Sequence, residues 1–382
     1  MKTINIGIIG GGLMGKEAAS AFSRWFVLND FPVNVSLKAV CDLQEQTLEW
    51  YKRIPGIDML TTDYRELLAN EDIDVIYIAV PHNLHKEYYL EILRAGKDLL
   101  GEKPFGIDLG AAIAIEDEAD KLGRFARCSS EMPFLPGPQR VISAIQSGTL
   151  GKIIEINAGF LHSSDMDFNK PINWKRQSKF CGEIGVMGDL GMHVMHVPLR
   201  LGWNPETVYA QLQKIVTSRP DGKGGWAECD TWNNARLNTS VIIDEEQVPM
   251  TLDMKRLAPG ETNTWFIEVL GTTGGVKYST KDTKVLWTYL PGKEQKWQRT
   301  DLGFAMPFPT ITGGIFEPGF PDCFMQMFAA FIAEREGFLN GRFGCVTPAE
   351  AVQSHQVFDA ALQSNEKHII ANVSKAKYYE KI

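Results

Sequence analysis

The sequence has no excess of positive charge. Its 382 residues include 39 Lys and Arg against 47 Asp and Glu, so the formal net charge is −8. Because binding to nucleic acids needs a concentrated positive field, we expect no nucleic-acid partner. Hydrophobic residues make up 44% of the chain and charged residues 23%. These fractions are typical of a soluble globular protein and exclude a disordered, collagen-like or disulfide-scaffold protein.

Cysteines are few, and long apolar runs are missing. The six cysteines form no C-x-x-C pair and lie mostly beside apolar residues, a pattern typical of buried free thiols in a reducing compartment. No apolar run approaches the ~20 residues that a membrane span needs. The first residues enter an apolar strand pattern without the features of a secretion signal. We therefore expect a cytoplasmic protein with no membrane partner.

The first third of the chain alternates between strand and helix patterns. An apolar run at residues 4–9 ends in three glycines, residues 33–41 are rich in strand formers, and residues 75–80 are all apolar. A fully apolar run of this length is typical of a strand buried on both faces of a parallel sheet. Strands separated by helical segments predict right-handed βαβ units. We therefore assign residues 1–128 to an α/β domain with a doubly wound parallel sheet.

The pattern changes after about residue 128. A cluster of chain-breaking residues, Pro133, Pro136, Gly137 and Pro138, is interpreted as the crossover between two domains. Beyond it, loose alternation of apolar and polar residues predicts an antiparallel or mixed sheet with one covered face. The expected strands are 153–161, 208–216, 236–243, 248–255 and 265–270. We assign residues 129–382 to this second domain, in which Thr347-Pro348-Ala349-Glu350 has the signature of a helix start.

Gly10, Gly12 and Gly15 form the pattern G-x-G-x-x-G after the first strand and at the start of a helix. The first glycine permits a tight turn, the second lets the backbone approach a pyrophosphate, and the third lets helix and strand pack closely. The helix N-terminus adds unpaired N–H groups and a positive dipole end. A plain glycine-rich turn is the alternative. Position in the first βα unit favours a dinucleotide site, which also includes Leu13 and Met14.

Asp42 ends the second strand run, about where an acidic residue meets the adenosine ribose hydroxyls of a dinucleotide. Leu43 and Gln44 follow, so no Arg or Lys stands there to pair with a 2′-phosphate. Because a carboxylate repels that phosphate, the sequence favours NAD over NADP. The alternative is that Asp42 only caps a helix.

Gly101-Glu102-Lys103-Pro104 follows a short strand at residues 98–100. Ligands of open α/β sheets bind beyond the carboxyl ends of the strands. An ammonium group there can polarise a substrate hydroxyl and share in proton transfer. Pro104 is a candidate for a cis peptide bond. The alternative is that Lys103 is a surface residue at a strand exit.

Asp189, His193 and His196 are spaced i, i+4 and i+7, so on a helix they share one face. A carboxylate beside a histidine raises the pKa of the imidazole and orients the ring. Such a pair can take and return a proton near neutral pH. The alternative is a helix-capping aspartate and a core histidine.

Four motifs occur in the same order as in the glucose-fructose oxidoreductase / inositol dehydrogenase / rhizopine-catabolism (Gfo/Idh/MocA) family, which the sequence therefore resembles. They are Gly10-x-Gly12-x-x-Gly15, Ala79-Val80-Pro81-His82-Asn83-Leu84-His85, Glu102-Lys103-Pro104 and Gly185-x-x-x-Asp189-x-Gly191-x-His193. Residues 148–153 and 359–364 also resemble later segments of the family. The resemblance implies an N-terminal Rossmann domain and a C-terminal α+β domain. The latter has a large, mostly antiparallel open sheet that serves to form homodimers or homotetramers.

The resemblance also implies a reaction, in which NAD takes a hydride from a secondary alcohol of a sugar or cyclitol. Lys103, Asp189 and His193 are then the catalytic residues beside the nicotinamide. The implied cofactor site extends from the glycine turn and Asp42 to Val80, Pro81, His82, Asn83, His85, Glu102 and Lys103. Two alternatives stay open: a glycoside hydrolase that uses bound NAD transiently, and a non-catalytic dinucleotide-binding regulator.

Expected substrate contacts are Lys103, Trp174, Arg176, Asp189, His193 and His196. Trp174 lies in a polar-aromatic loop whose aromatic face suits the C–H face of a sugar ring, although ordinary surface packing is the alternative for this loop. His196 stands where the family often has Asp. Asp189, His193 and His196 therefore have a spacing that also suits a metal, but the family chemistry needs none and we expect none. Pro133 stands where relatives often carry Arg, so no substrate contact is assigned there.

Overall fold

The computed structural model describes residues 1–292 and 294–373. Within them the chain forms two compact units. Unit 1 contains residues 1–106, 110–135 and 304–349, and unit 2 contains residues 107–109, 136–303 and the described residues from 350 onward. The helices are α1 (Leu13–Ser23), α2 (Glu45–Leu48), α3 (Tyr64–Ala69), α4 (His85–Arg94), α5 (Leu109–Leu122), α6 (Pro136–Gln146), α7 (Ser178–Cys181), α8 (Val186–Arg200), α9 (Phe320–Arg335) and α10 (Pro348–Lys367).

Unit 1 is built on a six-stranded parallel sheet. Its strands are β1 (Lys2–Ile9), β2 (Val33–Cys41), β3 (Met59–Thr61), β4 (Val75–Ile78), β5 (Asp98–Gly101) and β6 (Ala126–Cys128). Their order is β3-β2-β1-β4-β5-β6, the doubly wound arrangement that the sequence predicted. Every residue of β4 is buried, as expected for an apolar strand covered on both faces. The strand order reverses between β1 and β4, and the carboxyl ends of such strands form the ligand crevice of open α/β sheets.

Helix α9 explains why residues 304–349 belong to unit 1. Its residues 323–333 are buried without a break, which is the pattern of a helix enclosed on all sides. The Phe328 ring lies 4.4 Å from the Phe22 ring on α1 and 5.3 Å from the Tyr77 ring on β4. These aromatic contacts join a late segment of the chain to the first sheet.

The observed units differ from the expected boundary between residues 128 and 129. The Ser129 N–H donates to the Gly101 carbonyl at 2.9 Å and so continues the pairing of β5 with β6. Residues 129–135 therefore stay with unit 1, and the chain enters unit 2 between Leu135 and Pro136, inside the predicted cluster of chain breakers. Residues 304–349 were expected in the second domain, but α9 holds them in the first unit.

Unit 2 contains a nine-stranded sheet of order β16-β15-β14-β13-β7-β12-β11-β8-β17. Only β7 and β12 among these neighbours run parallel, which confirms the expected large, mostly antiparallel sheet. The strands of unit 2, including the separate pair of β9 and β10, are β7 (Ile153–His162), β8 (Pro205–Gln213), β9 (Ser218–Pro220), β10 (Trp226–Glu228), β11 (Asn234–Ile243), β12 (Glu246–Lys255), β13 (Asn263–Gly271), β14 (Gly275–Ser279), β15 (Val285–Tyr289), β16 (Trp297–Asp301) and β17 (Ala371–Asn372).

Two smaller expectations are also met. All six cysteines are buried, as their apolar neighbours indicated. Helix α10 begins at Pro348, where the sequence has a helix-start signature. Within the described part of the chain, no helix combines the length and the hydrophobicity that crossing a membrane would require.

The place of α9 in unit 1 yields a stability prediction. Phe328→Ala removes a buried ring from the contact between α9, α1 and β4, so we expect the free energy of unfolding to fall by about 3–5 kcal/mol. Denaturant unfolding measures this change. The control Phe316→Ala truncates a ring that is 68% exposed and should change stability by less than about 0.5 kcal/mol. Equal effects of the two substitutions would contradict the packing described.

Candidate active site

The three glycines of the turn after β1 have three different surroundings. Gly10 has φ +96°, and a Cβ there would lie 2.2 Å from the Ala79 carbonyl oxygen. A Cβ on Gly15 would lie 2.2 Å from the Gly10 carbonyl oxygen, so α1 packs directly on the turn. At Gly12 a Cβ would meet nothing within 4 Å. The turn is therefore tight at its first glycine, closely packed at its third, and open at its second, where a pyrophosphate needs space.

Asp42 is fixed beside this turn at the end of β2. Its Oδ2 accepts the Gly11 N–H at 2.8 Å, and its Oδ1 accepts the Gln44 N–H at 2.9 Å. The Tyr51 hydroxyl donates to the Gly11 carbonyl at 3.1 Å on the same side. Each carboxylate oxygen has a second lone pair for a ribose hydroxyl. The Gln44 contact also makes Asp42 part of the turn before α2, but the N-cap residue of that helix is Gln44 and not Asp42.

His85 ties the loops after β4 and β5 together. One ring nitrogen lies 2.7 Å from the Pro104 carbonyl oxygen and the other 2.9 Å from the Val80 carbonyl oxygen. Burial lowers the pKa of His85, although these two carbonyls act in the opposite direction. The ring stacks on Tyr89, whose hydroxyl donates to the Glu102 carbonyl at 2.8 Å. His85 therefore supports the backbone on both sides of Lys103.

Lys103 follows β5 in unit 1, and its bond to Pro104 is cis, as the sequence suggested. The neighbouring Glu102 carboxylate is buried and accepts the Tyr77 hydroxyl at 2.8 Å. A second buried carboxyl group, Glu131, follows β6. Burial and the nearby Glu102 raise the pKa of Glu131 to about 7, with Lys103 acting against this shift. Sequence analysis did not single out Glu131, because no motif contains it.

Helix α8 carries the acidic and histidine residues of unit 2, and residues 186–199 are all buried. The prediction that Asp189, His193 and His196 share one helix is confirmed. Asp189 lies in the first turn, and its Oδ1 accepts Lys175 Nζ at 2.7 Å. The His193 ring meets Phe160 edge to face at 5.3 Å, and its carbonyl accepts the Trp265 indole N–H at 2.8 Å. The helix is thereby fixed against the sheet beneath it.

Arg256 holds this side of unit 2 together and was not singled out from the sequence. It follows β12 and is 1% exposed. Its Nε donates to Asp189 Oδ2 at 3.2 Å, and its Nη1 donates to the carbonyl oxygens of Lys175 at 3.2 Å and Trp232 at 3.5 Å. One guanidinium therefore links α8, the 3₁₀ turn Trp174–Arg176 and the loop before β11. A sequence feature that could have indicated Arg256 is its position, because it is a cationic residue directly after a strand with an alternating pattern.

The 3₁₀ turn places its three side chains differently. Arg176 is buried, and its Nε donates to Asp165 Oδ1 at 2.9 Å. Burial lowers the pKa of the Arg176 guanidinium, and the nearby Arg256 adds to this. Lys175 instead reaches Asp189, and its Nζ lies 5.6 Å from the Trp174 ring centroid. Lys175 is thus the basic residue of this turn that contacts the predicted catalytic helix, while the substrate role of Arg176 stays a prediction.

The predicted residues fall into two sets. Unit 1 brings together the glycine turn, Asp42, residues 80–85 and residues 102–104, whereas unit 2 brings together Trp174, Asp189, His193 and His196. The approach of Lys103 to Asp189 and His193 stays a prediction. Among residues 1–292 and 294–373, no group of three or more His, Cys, Asp or Glu side chains is placed to hold a metal ion.

Comparison with known families matches both parts of the chain. Residues 4–129 match a model described as an oxidoreductase family with an NAD-binding Rossmann fold. Residues 139–277 match the model of the GFO/IDH/MocA C-terminal domain. The open space at Gly12 and the Asp42 carboxylate fit such a cofactor. The protein is therefore an oxidoreductase with an NAD-binding Rossmann domain. The chain belongs to the Gfo/Idh/MocA family.

Individual relatives agree with this assignment. The chain is 25% identical over 293 residues to levoglucosan dehydrogenase of Pseudarthrobacter phenanthrenivorans, covering 73% of this chain and 74% of the relative. It is 26% identical over 286 residues to glucose-6-phosphate 3-dehydrogenase of Bacillus subtilis, covering 73% and 75%. A solved structure of levoglucosan dehydrogenase with NADH and L-sorbose superposes with a TM-score of 0.87 at 23% identity, covering 98% of this chain and all of the other.

The different surroundings of Gly12 and Gly15 allow cofactor binding and folding to be tested separately. We expect Gly12→Ala to leave the melting temperature unchanged, because its Cβ meets no protein atom, and to weaken NAD binding about tenfold or more by filling cofactor space. Gly15→Ala should instead lower the melting temperature, because its Cβ would overlap the turn. Thermal unfolding and calorimetric NAD titration measure the two effects. Undiminished NAD affinity of Gly12→Ala would exclude the pyrophosphate from this turn.

Proposed function

We propose that this oxidoreductase transfers a hydride between a secondary alcohol of a sugar or cyclitol and NAD. The observation that carries the proposal is the buried helix α8, on which Asp189 is held between two cations and lies one turn before His193. A family member with an NAD-binding domain and this acid–histidine helix has the groups that alcohol oxidation requires. The names of the two dehydrogenase relatives support sugars as the substrate class.

The cofactor site belongs to unit 1. NAD, when bound, supplies the hydride acceptor. The N-terminus of α1 and the open backbone at Gly12 receive the phosphates, and Asp42 binds the adenosine ribose hydroxyls. The remaining assigned contacts are Gly10, Leu13, Met14, Gly15, Val80, Pro81, His82, Asn83, His85, Glu102 and Lys103. Asp42 also makes NAD preferred over NADP, because a 2′-phosphate would face its carboxylate.

The catalytic residues divide the work of proton transfer. His193 takes the proton of the substrate hydroxyl, and Asp189 orients the imidazole. Lys103 stabilises the oxygen as negative charge develops on it. A positioned acid or base of this kind contributes roughly 10²–10⁴-fold to the rate. Trp174 offers an aromatic face to the C–H face of the ring, and Arg176 and His196 complete the substrate side.

The assembly and the compartment are part of the same proposal. Large apolar side chains are exposed on one face of the nine-stranded sheet, on three of its strands: Tyr209, Ile242 and Trp287. Exposed apolar side chains on a sheet face favour self-association, so we assign a homodimer or homotetramer. The buried cysteines suit a reducing compartment, and we assign the cytoplasm.

Loss of the Lys103 ammonium should remove turnover but not cofactor binding. We expect Lys103→Ala to bind NAD within several-fold of the unaltered protein and to lose most of its turnover, about 10²-fold or more. A panel of sugars and inositols, followed by NADH absorbance, measures the rate, and calorimetry measures NAD binding. The matched control Lys121→Ala removes an exposed lysine of α5 in the same unit and should change neither quantity.

The same panel separates the competing functions. Accumulating NADH supports the dehydrogenase, whereas release of sugar from glycosides without net NADH would indicate the hydrolase. NAD binding with no turnover of any sugar, polyol or glycoside would indicate a regulator. Comparable turnover in Lys103→Ala would remove Lys103 from the mechanism.

Cofactor preference depends on the Asp42 carboxylate. Asp42→Ser removes the charge that repels a 2′-phosphate and a charge-assisted hydrogen bond of about 1.5–3 kcal/mol. We therefore expect NAD affinity to fall about tenfold or more and NADP affinity to rise. Parallel titrations with both cofactors measure this. Asp74→Ser is the control, because Asp74 also accepts a backbone N–H, from Asn5, but precedes β4 at the opposite end of the sheet. An unchanged ratio of affinities in Asp42→Ser would contradict the assignment.

A further inference from the structure

A buried tyrosine packs against the glycine turn of unit 1, although no sequence motif contains it. Tyr51 lies in the 3₁₀ helix Glu49–Arg53, directly after α2, and is 0% exposed. Its hydroxyl donates to the Gly11 carbonyl oxygen at 3.1 Å. A Cβ atom on Gly11 would lie 3.1 Å from Tyr51 Cε2, and one on Gly15 would lie 2.9 Å from the Tyr51 hydroxyl oxygen. The ring and its hydroxyl therefore lie against the turn at both of these glycines.

The two polar groups of Gly11 are held by different side chains. Its N–H donates to Asp42 Oδ2 at 2.8 Å, and its carbonyl oxygen accepts the Tyr51 hydroxyl. The peptide bond from Gly11 to Gly12 is trans, so the Gly12 N–H points in the opposite direction from the Gly11 carbonyl. Gly12 is exposed and is the N-cap residue of α1. The Tyr51 hydrogen bond therefore directs the Gly12 N–H away from the buried tyrosine.

A peptide between two glycines needs such a constraint. Glycine has no Cβ and populates both signs of φ, so the Gly11–Gly12 peptide can rotate at little steric cost. Asp42 holds the preceding peptide and does not restrain this one. After a rotation by half a turn, the Gly11 carbonyl oxygen would take the direction of the Gly12 N–H. Because a carbonyl oxygen repels a phosphate that an N–H group binds, the rotated turn would lose affinity for phosphates.

Neighbouring groups keep the Tyr51 hydroxyl protonated and in place. Burial raises the pKa of Tyr51, and the Asp42 carboxylate adds to this, so the phenol remains a donor near neutral pH. The Trp50 ring meets the Tyr51 ring edge to face at 4.9 Å. Lys16 Nζ, on α1, lies 5.3 Å from the Trp50 ring centroid. The 3₁₀ helix that carries Tyr51 is thus joined to the helix that follows the turn.

We propose that Tyr51 is a positioning residue for the pyrophosphate of NAD and acts through the Gly11–Gly12 peptide. Its hydroxyl holds the Gly11 carbonyl on the buried side of the turn, so that the N–H groups at the start of α1 face the phosphates. Asp42 and Tyr51 then act on the two ends of one residue, Gly11. This proposal rests on the cofactor site of the proposed function, and it does not depend on the substrate or the reaction.

Tyr51→Phe tests the hydrogen bond, because it removes the hydroxyl and keeps the ring. We expect the affinities for NADH and for ADP to fall about three- to tenfold, the range that one neutral hydrogen bond supplies. Adenosine has no phosphate, so its affinity should stay the same. The fluorescence of NADH, and its displacement by ADP or adenosine, measure the three affinities. In turnover, the KM for NAD should rise by the same factor, while kcat at saturating NAD and the KM for sugar stay unchanged.

Tyr64→Phe is the matched control for the loss of a tyrosine hydroxyl. Tyr64 is also a buried tyrosine of unit 1, 6% exposed, but its hydroxyl donates to Glu91 on α4 at 2.6 Å. All three affinities should be the same in this variant as in the unaltered protein. Melting temperatures of both variants, measured without ligand, confirm that each is folded and report the stability that each hydroxyl contributes.

The pattern across the three ligands decides the role of Tyr51. An unchanged affinity of Tyr51→Phe for ADP would overturn the proposal, and a lower melting temperature beside it would leave Tyr51 a structural role alone. An adenosine affinity reduced as much as that of ADP would assign Tyr51 to the ribose side and overturn it as well. If the unaltered protein binds no NADH, the proposed function fails too. If it binds NADH but oxidises no sugar, the proposed function fails by itself, and the binding measurements still decide the role of Tyr51.

Discussion

The close approach of α1 to the end of β1 is the contact on which unit 1 depends. A Cβ atom on Gly15 would lie 2.2 Å from the Gly10 carbonyl oxygen. Because this is far too close for two atoms that are not bonded, only glycine fits at position 15. This contact fixes the N-terminus of α1 and orients the Gly11 N–H toward Asp42. The same helix presents Phe22 to Phe328, so the turn that creates space for a cofactor also anchors α9 to the sheet.

In unit 2, a buried guanidinium holds separate segments of the chain together, as the glycine contact does in unit 1. Arg256 is buried and donates to Asp189, Lys175 and Trp232, three points that are distant in the sequence. A guanidinium has five donors in a rigid plane, so it can hold several acceptors at once, which lysine cannot do in fixed geometry. The orientation of Asp189 at the start of α8 therefore depends on a residue outside every motif.

Local sequence patterns predicted most of the main strands and helices. The segments and residues that these patterns did not predict depend on contacts between distant parts of the chain. Apolar runs, alternation and glycine spacing were enough for β1, β2, β4 and β5, for the strands that build the centre of the second sheet, and for α8, whereas the three-residue strands β3 and β6 were not predicted. Residues 304–349 were misplaced because Phe328 packs on Phe22 of α1 and Tyr77 of β4, which lie 306 and 251 positions earlier, and periodicity carries no such information. Arg256, Lys175 and Glu131 were missed for the same reason: their roles come from what packs against them, and each is an ordinary charged residue in the sequence.

The two units hold their predicted catalytic charges in opposite ways. Asp189 is an anion between the cations Lys175 and Arg256, and Lys103 is a cation in the field of the carboxyl groups Glu102 and Glu131. The arginine keeps its charge across the physiological pH range, so this partner of Asp189 does not titrate there. Burial and the nearby Glu102 raise the pKa of the Glu131 carboxyl group to about 7. Unit 1 therefore holds a carboxyl group whose ionisation is displaced toward neutral pH, and the main cause is the burial of Glu131 beyond the end of β6.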